Sequence, residues 1–201
     1  MVWAVILAAG ESRRMGAPKL LLPFEGSTVL GTVVRRVRRA GLSSIVVVLG
    51  AEQEKVRAAL EDQPVVFVHN PGFRRGMLSS IQCGLQALPA AASAAMLFLA
   101  DQPTLSDSVI KKLLQARESA SNGLIVPVFA GKRGHPLLLS LEYRDEVGTL
   151  DPAVGLRQLL INHPDDILEV EVEDEAVLKD IDTPEDYRQA NVSRPPKKTE
   201  P

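Results

Sequence analysis

The sequence predicts a single α/β domain, doubly wound, with a mostly parallel sheet between layers of helices. Three observations predict it. Five short apolar runs, at 2–7, 45–49, 65–68, 96–99 and 124–126, are continuous rather than alternating, as strands covered on both faces must be. Segments of helical pattern separate them, at 28–39, 52–61, 78–88 and 106–119. A composition of 45% hydrophobic and 24% charged residues over 201 positions belongs to a globular chain with a full core.

In chain order, the first run carries Trp3 as a core residue and stops at Gly10-Glu11 with no basic residue ahead of it. That fits neither a signal peptide nor a membrane span, and the apolar stretch at 90–100 is also too short to span, so a cytoplasmic location is expected. On the segment 28–39, Arg35, Arg36, Arg38 and Arg39 read as a solvated face opposite Val33, Val34 and Val37. Cys83, the one cysteine, falls in a helical stretch and reads as a small buried apolar residue. A single cysteine excludes an internal disulfide and a multi-thiolate zinc site.

After residue 130 the alternation weakens. The stretch 131–136 reads as a loop, 137–139 as a short strand and 154–161 as a helix. Residues 167–172, Ile-Leu-Glu-Val-Glu-Val, alternate as a half-exposed edge strand does. Asp182-Thr183-Pro184-Glu185-Asp186 opens a last helix. Residues 1–191 are expected to form one domain, and 192–201, rich in Pro and Lys, a disordered tail. A net charge of −2 argues against a nucleic-acid or membrane surface.

In an open α/β sheet ligands bind beyond the carboxyl ends of the strands, which places interest on the loop Gly10 to Lys19. Gly10 and Gly16 let backbone amides approach a phosphate, and Arg13, Arg14 and Lys19 add fixed positive charge. The residues alone leave two readings open, an anion site or a surface loop with exposed cations. Gly16 is followed by Ala17-Pro18-Lys19, so the Gly-Lys-Ser/Thr ending of a P-loop fails, and no Gly-x-Gly-x-x-Gly follows the first strand. Transfer chemistry on a triphosphate calls for a cation held by one or two carboxylates. Asp101 follows the run 96–99 and so lies at the carboxyl edge, or else caps a turn before Pro103. Asp182 begins the last helix, where N-capping, by Asp182 or by Thr183, is the better local reading and metal ligation a compatible one.

Several separated stretches, taken together, resemble the MobA-like nucleotidyltransferases, and within them the molybdenum-cofactor cytidylyltransferases. They are Leu7-Ala8-Ala9-Gly10-Glu11-Ser12-Arg13-Arg14-Met15-Gly16-Ala17-Pro18-Lys19-Leu20-Leu21-Leu22-Pro23, Asn70-Pro71 with Gly76-Met77-Leu78-Ser79-Ser80-Ile81, Leu99-Ala100-Asp101-Gln102-Pro103, Gly134-His135-Pro136, and the stretch from Asp180 to Tyr187. The resemblance implies a Rossmann-like sandwich and transfer of CMP from CTP to molybdopterin with release of pyrophosphate. It also implies roles. Gly10, Arg14 and Lys19 would hold the triphosphate, with Arg14, Lys19 and Asp101 catalytic. Asp101 and Asp182 would ligate Mg²⁺, Gly134 and His135 would face the acceptor, and Ala8, Ala9, Ser79 and Ser80 would line the base and ribose pocket. Leu7, Ser12 and Asn70 complete the nucleotide contacts that the resemblance implies. Guanylyltransferase relatives tend to carry Gly-Gly where this chain has Ala9-Gly10, and a methyl group there discriminates by roughly 1–3 kcal/mol. A molybdenum hydroxylase is the expected acceptor enzyme. The alternatives are a guanylyltransferase or a sugar- or alcohol-phosphate nucleotidyltransferase of the same fold, and a non-catalytic protein that binds and delivers the cofactor.

Overall fold

The computed structural model describes residues 1–12 and 14–192. Of the tail expected at 192–201, Val192 instead closes the last helix, and residues 193–201, like Arg13, lie outside the described residues. The chain begins with β1 (Val2–Ala8), a small hairpin of β2 (Pro23–Phe24) and β3 (Ser27–Thr28), and α1 (Val29–Arg39). Then come β4 (Ile45–Leu49), α2 (Gln53–Ala58), β5 (Val66–His69), α3 (Met77–Gln86), β6 (Ala94–Leu99) and α4 (Asp107–Ser119). The second half holds β7 (Leu124–Phe129), β8 (Lys132–Arg133), β9 (Leu137–Ser140), α5 (Arg144–Thr149), α6 (Arg157–Asn162), β10 (Ile167–Glu171) and α7 (Pro184–Val192).

The main sheet runs β10-β7-β9-β6-β1-β4-β5, with β8 paired to β7. β1 pairs in parallel with β4 and β6, β4 with β5, and β7 with β10, whereas β9 is inserted antiparallel between β6 and β7. An antiparallel strand between two others leaves β6 and β7 parallel to each other. The carboxyl ends of β1, β4, β5, β6, β7 and β10 therefore share one edge of the sheet.

Alternate residues of β1 feed two cores. Ala4, Ile6 and Ala8 pack with Val33 and Val37 of α1 and Ile110 and Leu113 of α4. Val5 packs with Leu78, Ile81 and Leu85 of α3, Val147 of α5 and Leu159 of α6. Helices on both faces explain why β4 and β9 are buried at every position. Thr28 caps α1 by accepting from the Gly31 amide at 3.0 Å. Ser106 occupies the corresponding position before α4 without a capping side-chain bond.

The structure differs from the sequence reading where neighbours decide. The strand read at 65–68 is β5, an edge strand rather than one covered on both faces, and Val66 is 50% exposed. Helical pattern at 52–61 yields only α2, because Glu52 adopts φ +56° and only Val56 and Leu60 bury. Helix α6 begins at Arg157, not Val154, because Gly155 at φ +73° cannot continue a right-handed helix. The loop read at 131–136 contains β8, folded onto β7 through a tight turn with positive φ at Ala130 and Gly131. Arg36 is not part of a solvated face. Its side chain is 12% exposed and meets Glu25 at 3.1 Å and Asp107, from the start of α4, at 3.9 Å. Cys83 is half-buried rather than buried, its thiol 3.6 Å from the His69 carbonyl, and burial raises its pKa. Trp3 is only partly buried, against the α3 side of the sheet.

Candidate active site

The loop leaving β1 turns through Ser12 at φ +52° and Gly16 at φ +69°, and Met15 and Leu20 anchor it in the core. Ser12 shapes it twice: its carbonyl accepts from the Met15 amide at 3.1 Å and its hydroxyl from the Lys19 amide at 3.2 Å. The path delivers the Lys19 side chain inward, 12% exposed, to the carboxyl edge of the sheet.

There the Lys19 ammonium donates to Asp101 Oδ2 at 2.6 Å and to Asp182 Oδ1 at 2.8 Å. Arg14 meets the other Asp182 oxygen at 2.8 Å from a side chain 73% exposed. Burial works against the Lys19 charge, but Asp101 and Asp182 outweigh it and hold its pKa above the ordinary lysine value. Asp101 sits two residues past the end of β6, just after Ala100, whose amide donates back to the Leu7 carbonyl of β1. The Ile181 amide donates to the Asp101 carbonyl at 2.9 Å, and Ile181 itself is 3% exposed. Asp180 and Asp182 flank that buried residue, and each offers a carboxylate oxygen to a group with Asp101 whose ligand atoms lie within 4.8 Å of one another. Burial first, and then the charges of Asp101 and Asp182, raise the Asp180 pKa. Three carboxylates converging on one point, two of them bonded to the Lys19 ammonium, form an all-oxygen donor set that suits Mg²⁺ or Mn²⁺.

Of the two N-cap candidates, Asp182 and Thr183, it is Thr183 that caps α7. Thr183 Oγ1 accepts from the Asp186 amide at 3.2 Å, and the Asp186 carboxylate accepts from the Thr183 amide at 2.7 Å and the Asp182 amide at 3.1 Å. The Asp182 side chain is thereby left to the two cations. Asp101 likewise does not cap a turn through its side chain, since its Oδ2 takes the Lys19 ammonium.

A cavity of about 550 Å³ opens over this cluster. Of the expected residues, Leu7, Ala9, Gly10, Ser12, Arg14, Lys19, Ser80, Asp101 and Asp182 line it. Ala8 instead lies in the core at 1% exposure, its side chain on the α1 face of β1. Asn70 and Ser79 also stand behind the wall. The Asn70 amide donates to Ser79 Oγ at 2.9 Å and Ser80 Oγ at 3.0 Å, its oxygen accepts from the Gly72 amide at 2.9 Å, and Ser79 bonds to the carbonyls of Gly72 and Gly76. These bonds hold the turn that presents Ser80. Gly134 and His135 are not among the lining residues. The Gly134 amide donates to the Pro127 carbonyl at 2.8 Å and the His135 amide to Val177 at 2.9 Å, and a Cβ at Gly134 would collide with the Val177 carbonyl. Burial lowers the His135 pKa, with Asp101 opposing.

Sequence reasoning missed Asp180, Glu11, Phe73 and Arg74 as lining residues. The Asp-Ile-Asp alternation was a usable signal for Asp180, since it places both carboxylates on one side of an extended segment. Arg74 stacks over Phe73 at 5.6 Å and pairs with Glu11 at 3.0 Å, contacts that no local pattern encodes. Close packing also shapes this wall: a Cβ on Gly50 would stand 2.7 Å from the Ala9 carbonyl and 2.8 Å from Phe73 Cβ.

The sandwich, the carboxylate group and the cation-bearing loop describe a nucleotidyltransferase site, and the chain belongs to the family described as "MobA-like NTP transferase domain", whose model matches residues 4–167. Among individual relatives, it is 31% identical to the molybdenum cofactor cytidylyltransferase of Escherichia coli K12 over 91% of this chain and 92% of that one. It is equally 31% identical to nicotine blue oxidoreductase of Paenarthrobacter nicotinovorans, over 92% and 93%. The structure of Rv0371C from Mycobacterium tuberculosis H37Rv in complex with manganese superposes with a TM-score of 0.78 at 29% identity, covering 96% of this chain and 99% of that one.

Proposed function

We propose that this protein is a Mg²⁺-dependent cytidylyltransferase that joins CMP from CTP to the phosphate of molybdopterin, giving molybdopterin cytosine dinucleotide and pyrophosphate. The observation that carries the reading is the Lys19 ammonium set between Asp101 and Asp182 in the floor of the cavity. A non-catalytic carrier of the cofactor has no need of such a group. The likeness to the Escherichia coli enzyme supports the choice of CTP and acceptor, and Ala9 in the cavity wall supports a pyrimidine.

A phosphate oxygen of the acceptor attacks the α-phosphorus, forming one P–O bond as the bond to the β-phosphate oxygen breaks and pyrophosphate departs. An acceptor phosphate is already anionic near neutral pH, so no strong general base is required, and catalysis is positioning plus charge stabilisation. Asp101 and Asp182, with Asp180 beside them, would hold a divalent cation, which would supply Lewis-acid stabilisation of the triphosphate oxygens. Arg14 and Lys19 offset charge on the leaving pyrophosphate. Ser80 and Ala9 face the nucleoside, with Asn70 and Ser79 fixing Ser80. Gly134 and His135 hold the segment 175–178 that leads to Asp180, a positioning role toward the acceptor side. We assign the activity to residues 1–191 acting as one unit in the cytoplasm, with a molybdenum hydroxylase receiving the product.

Thermal unfolding with CTP, GTP, ATP and UTP, each with and without Mg²⁺, tests the reading. A ligand at about 100 times its dissociation constant adds roughly 2.7 kcal/mol, a rise in Tm on the order of 5–10 °C for a chain of this length. A rise with CTP and Mg²⁺ well above the others is the expected result. A preference for GTP moves the product to the guanine dinucleotide. No rise with any nucleotide overturns the transferase and favours a non-catalytic carrier of the cofactor.

A further inference from the structure

We propose that in the free protein Lys19 is itself the cation of the carboxylate cluster, and that a divalent metal takes that place only as a nucleoside triphosphate draws the ammonium away. Metal and nucleotide binding are then obligately coupled through one side chain. The inference deepens the reading above and rests on it for the identity of the triphosphate.

Geometry gives the sign of the effect. The ammonium is at hydrogen-bond distance from both Asp101 and Asp182, at 2.6 and 2.8 Å, on a side chain only 12% exposed. The same two carboxylates and Asp180 are the groups that converge closely enough to hold an ion. Mg²⁺ or Mn²⁺ bonds carboxylate oxygens at about 2.1 Å, so a metal on these oxygens stands within about 5 Å of an ammonium that keeps its present bonds. Two cations that close, in a partly buried site, repel each other strongly. They therefore compete for the same oxygens.

Lys19 has somewhere to go. It lines the cavity together with Gly10, Ser12 and Arg14, so a triphosphate lying there offers the ammonium replacement oxygens without exposing it to bulk water. Arg14 does not create the same block, because its side chain is 73% exposed and holds only the outer oxygen of Asp182. With three carboxylates against Lys19 and Arg14, the cluster keeps an excess of one negative charge, so removing Lys19 makes it more attractive to a cation. Binding linkage is reciprocal: whatever factor the nucleotide adds to metal affinity, the metal adds to nucleotide affinity.

Mn²⁺ binding followed by electron paramagnetic resonance tests this without turnover. For the wild type, Mn²⁺ alone is expected to bind at least tenfold more weakly than to Lys19→Met, whereas Lys19→Arg keeps the weak wild-type affinity. Equal or weaker Mn²⁺ binding by a folded Lys19→Met overturns the proposal. Should that variant not fold, NMR of the ¹⁵N-labelled lysine ammonium groups of the wild type decides. The Lys19 signal is expected to stay in place with Mg²⁺ alone and to move when CTP is added with Mg²⁺. A full shift with Mg²⁺ alone overturns the exchange. The metal-only arm involves no nucleotide, so its failure alongside normal CTP–Mg²⁺ binding removes this inference and leaves the transferase reading standing. Absence of binding by every nucleotide removes both.

Discussion

Asp182 and Thr183 are adjacent and divide two tasks. Thr183 and Asp186 satisfy the first amides of α7, so the Asp182 carboxylate is available to Lys19 and Arg14. For Asp101→Asn, turnover is expected to fall on the order of 100-fold or more, the scale of losing one preorganised charge-stabilising group. The melting temperature is expected to change little, because Lys19 keeps Asp182 as a partner; near-normal turnover in the folded variant contradicts the assignment. His135 carries a pH signature. Its folded pKa is depressed by burial below the ordinary 6.5, so the unfolded chain takes up its proton first as pH falls. Stability linked to His135 is present above pH 6.5 and is lost as pH falls through the lower folded value. His135→Gln is expected to flatten the melting temperature between pH 7 and 5, and an unchanged slope rules His135 out as its source.

At the scale of elements, the last helix and the turn before it carry the site as much as the glycine loop does. Thr183→Ala is expected to cost about 1 kcal/mol as a lost cap, seen as a fall in Tm of roughly 2–4 °C. Turnover falls with it, since the cap also orders Asp182; loss of stability without loss of turnover separates the two. On the opposite face of the sheet, α3 rides close to β1 and β4, and a Cβ on Gly84 would stand 2.5 Å from Val5 Cγ1 and 2.9 Å from Val48 Cγ2. Gly84→Ala is therefore expected to destabilise by about 1–3 kcal/mol through overpacking, despite alanine's better helix propensity. A stabilised variant means that α3 can move outward at little cost.

Across the whole molecule, both cores share the residues of one sheet, and β9 ties the half that bears Asp101 to the half that bears Asp180 and Asp182. Unfolding followed by Trp3 fluorescence and by far-ultraviolet circular dichroism is expected to give coincident transitions. Separate transitions mean that the segment after residue 130 folds as its own unit.

Strong local patterns settled the main features from sequence. Continuous apolar runs placed β1, β4, β6 and β7, and Ile-Leu-Glu-Val-Glu-Val placed β10 at an edge; the loop after β1 stood out by its place at a strand's carboxyl end and by the family resemblance, its own residues leaving a plain surface loop equally open. Asp101 was legible for the same reason, a carboxylate straight after a buried strand. Strand order was not legible, because an apolar run records that a strand is buried and not which strand lies beside it; hence the edge position of β5 and the insertion of β9 came only from the fold. Side-chain partners at a distance followed the same rule. Nothing near Lys19 in the chain encodes Asp182, 163 residues away, and nothing near Arg36 encodes Asp107. Local sequence determines which residues turn, bury or bear charge. Which charges face one another depends on how the strands are ordered, and that is decided when both faces of the sheet are covered at once.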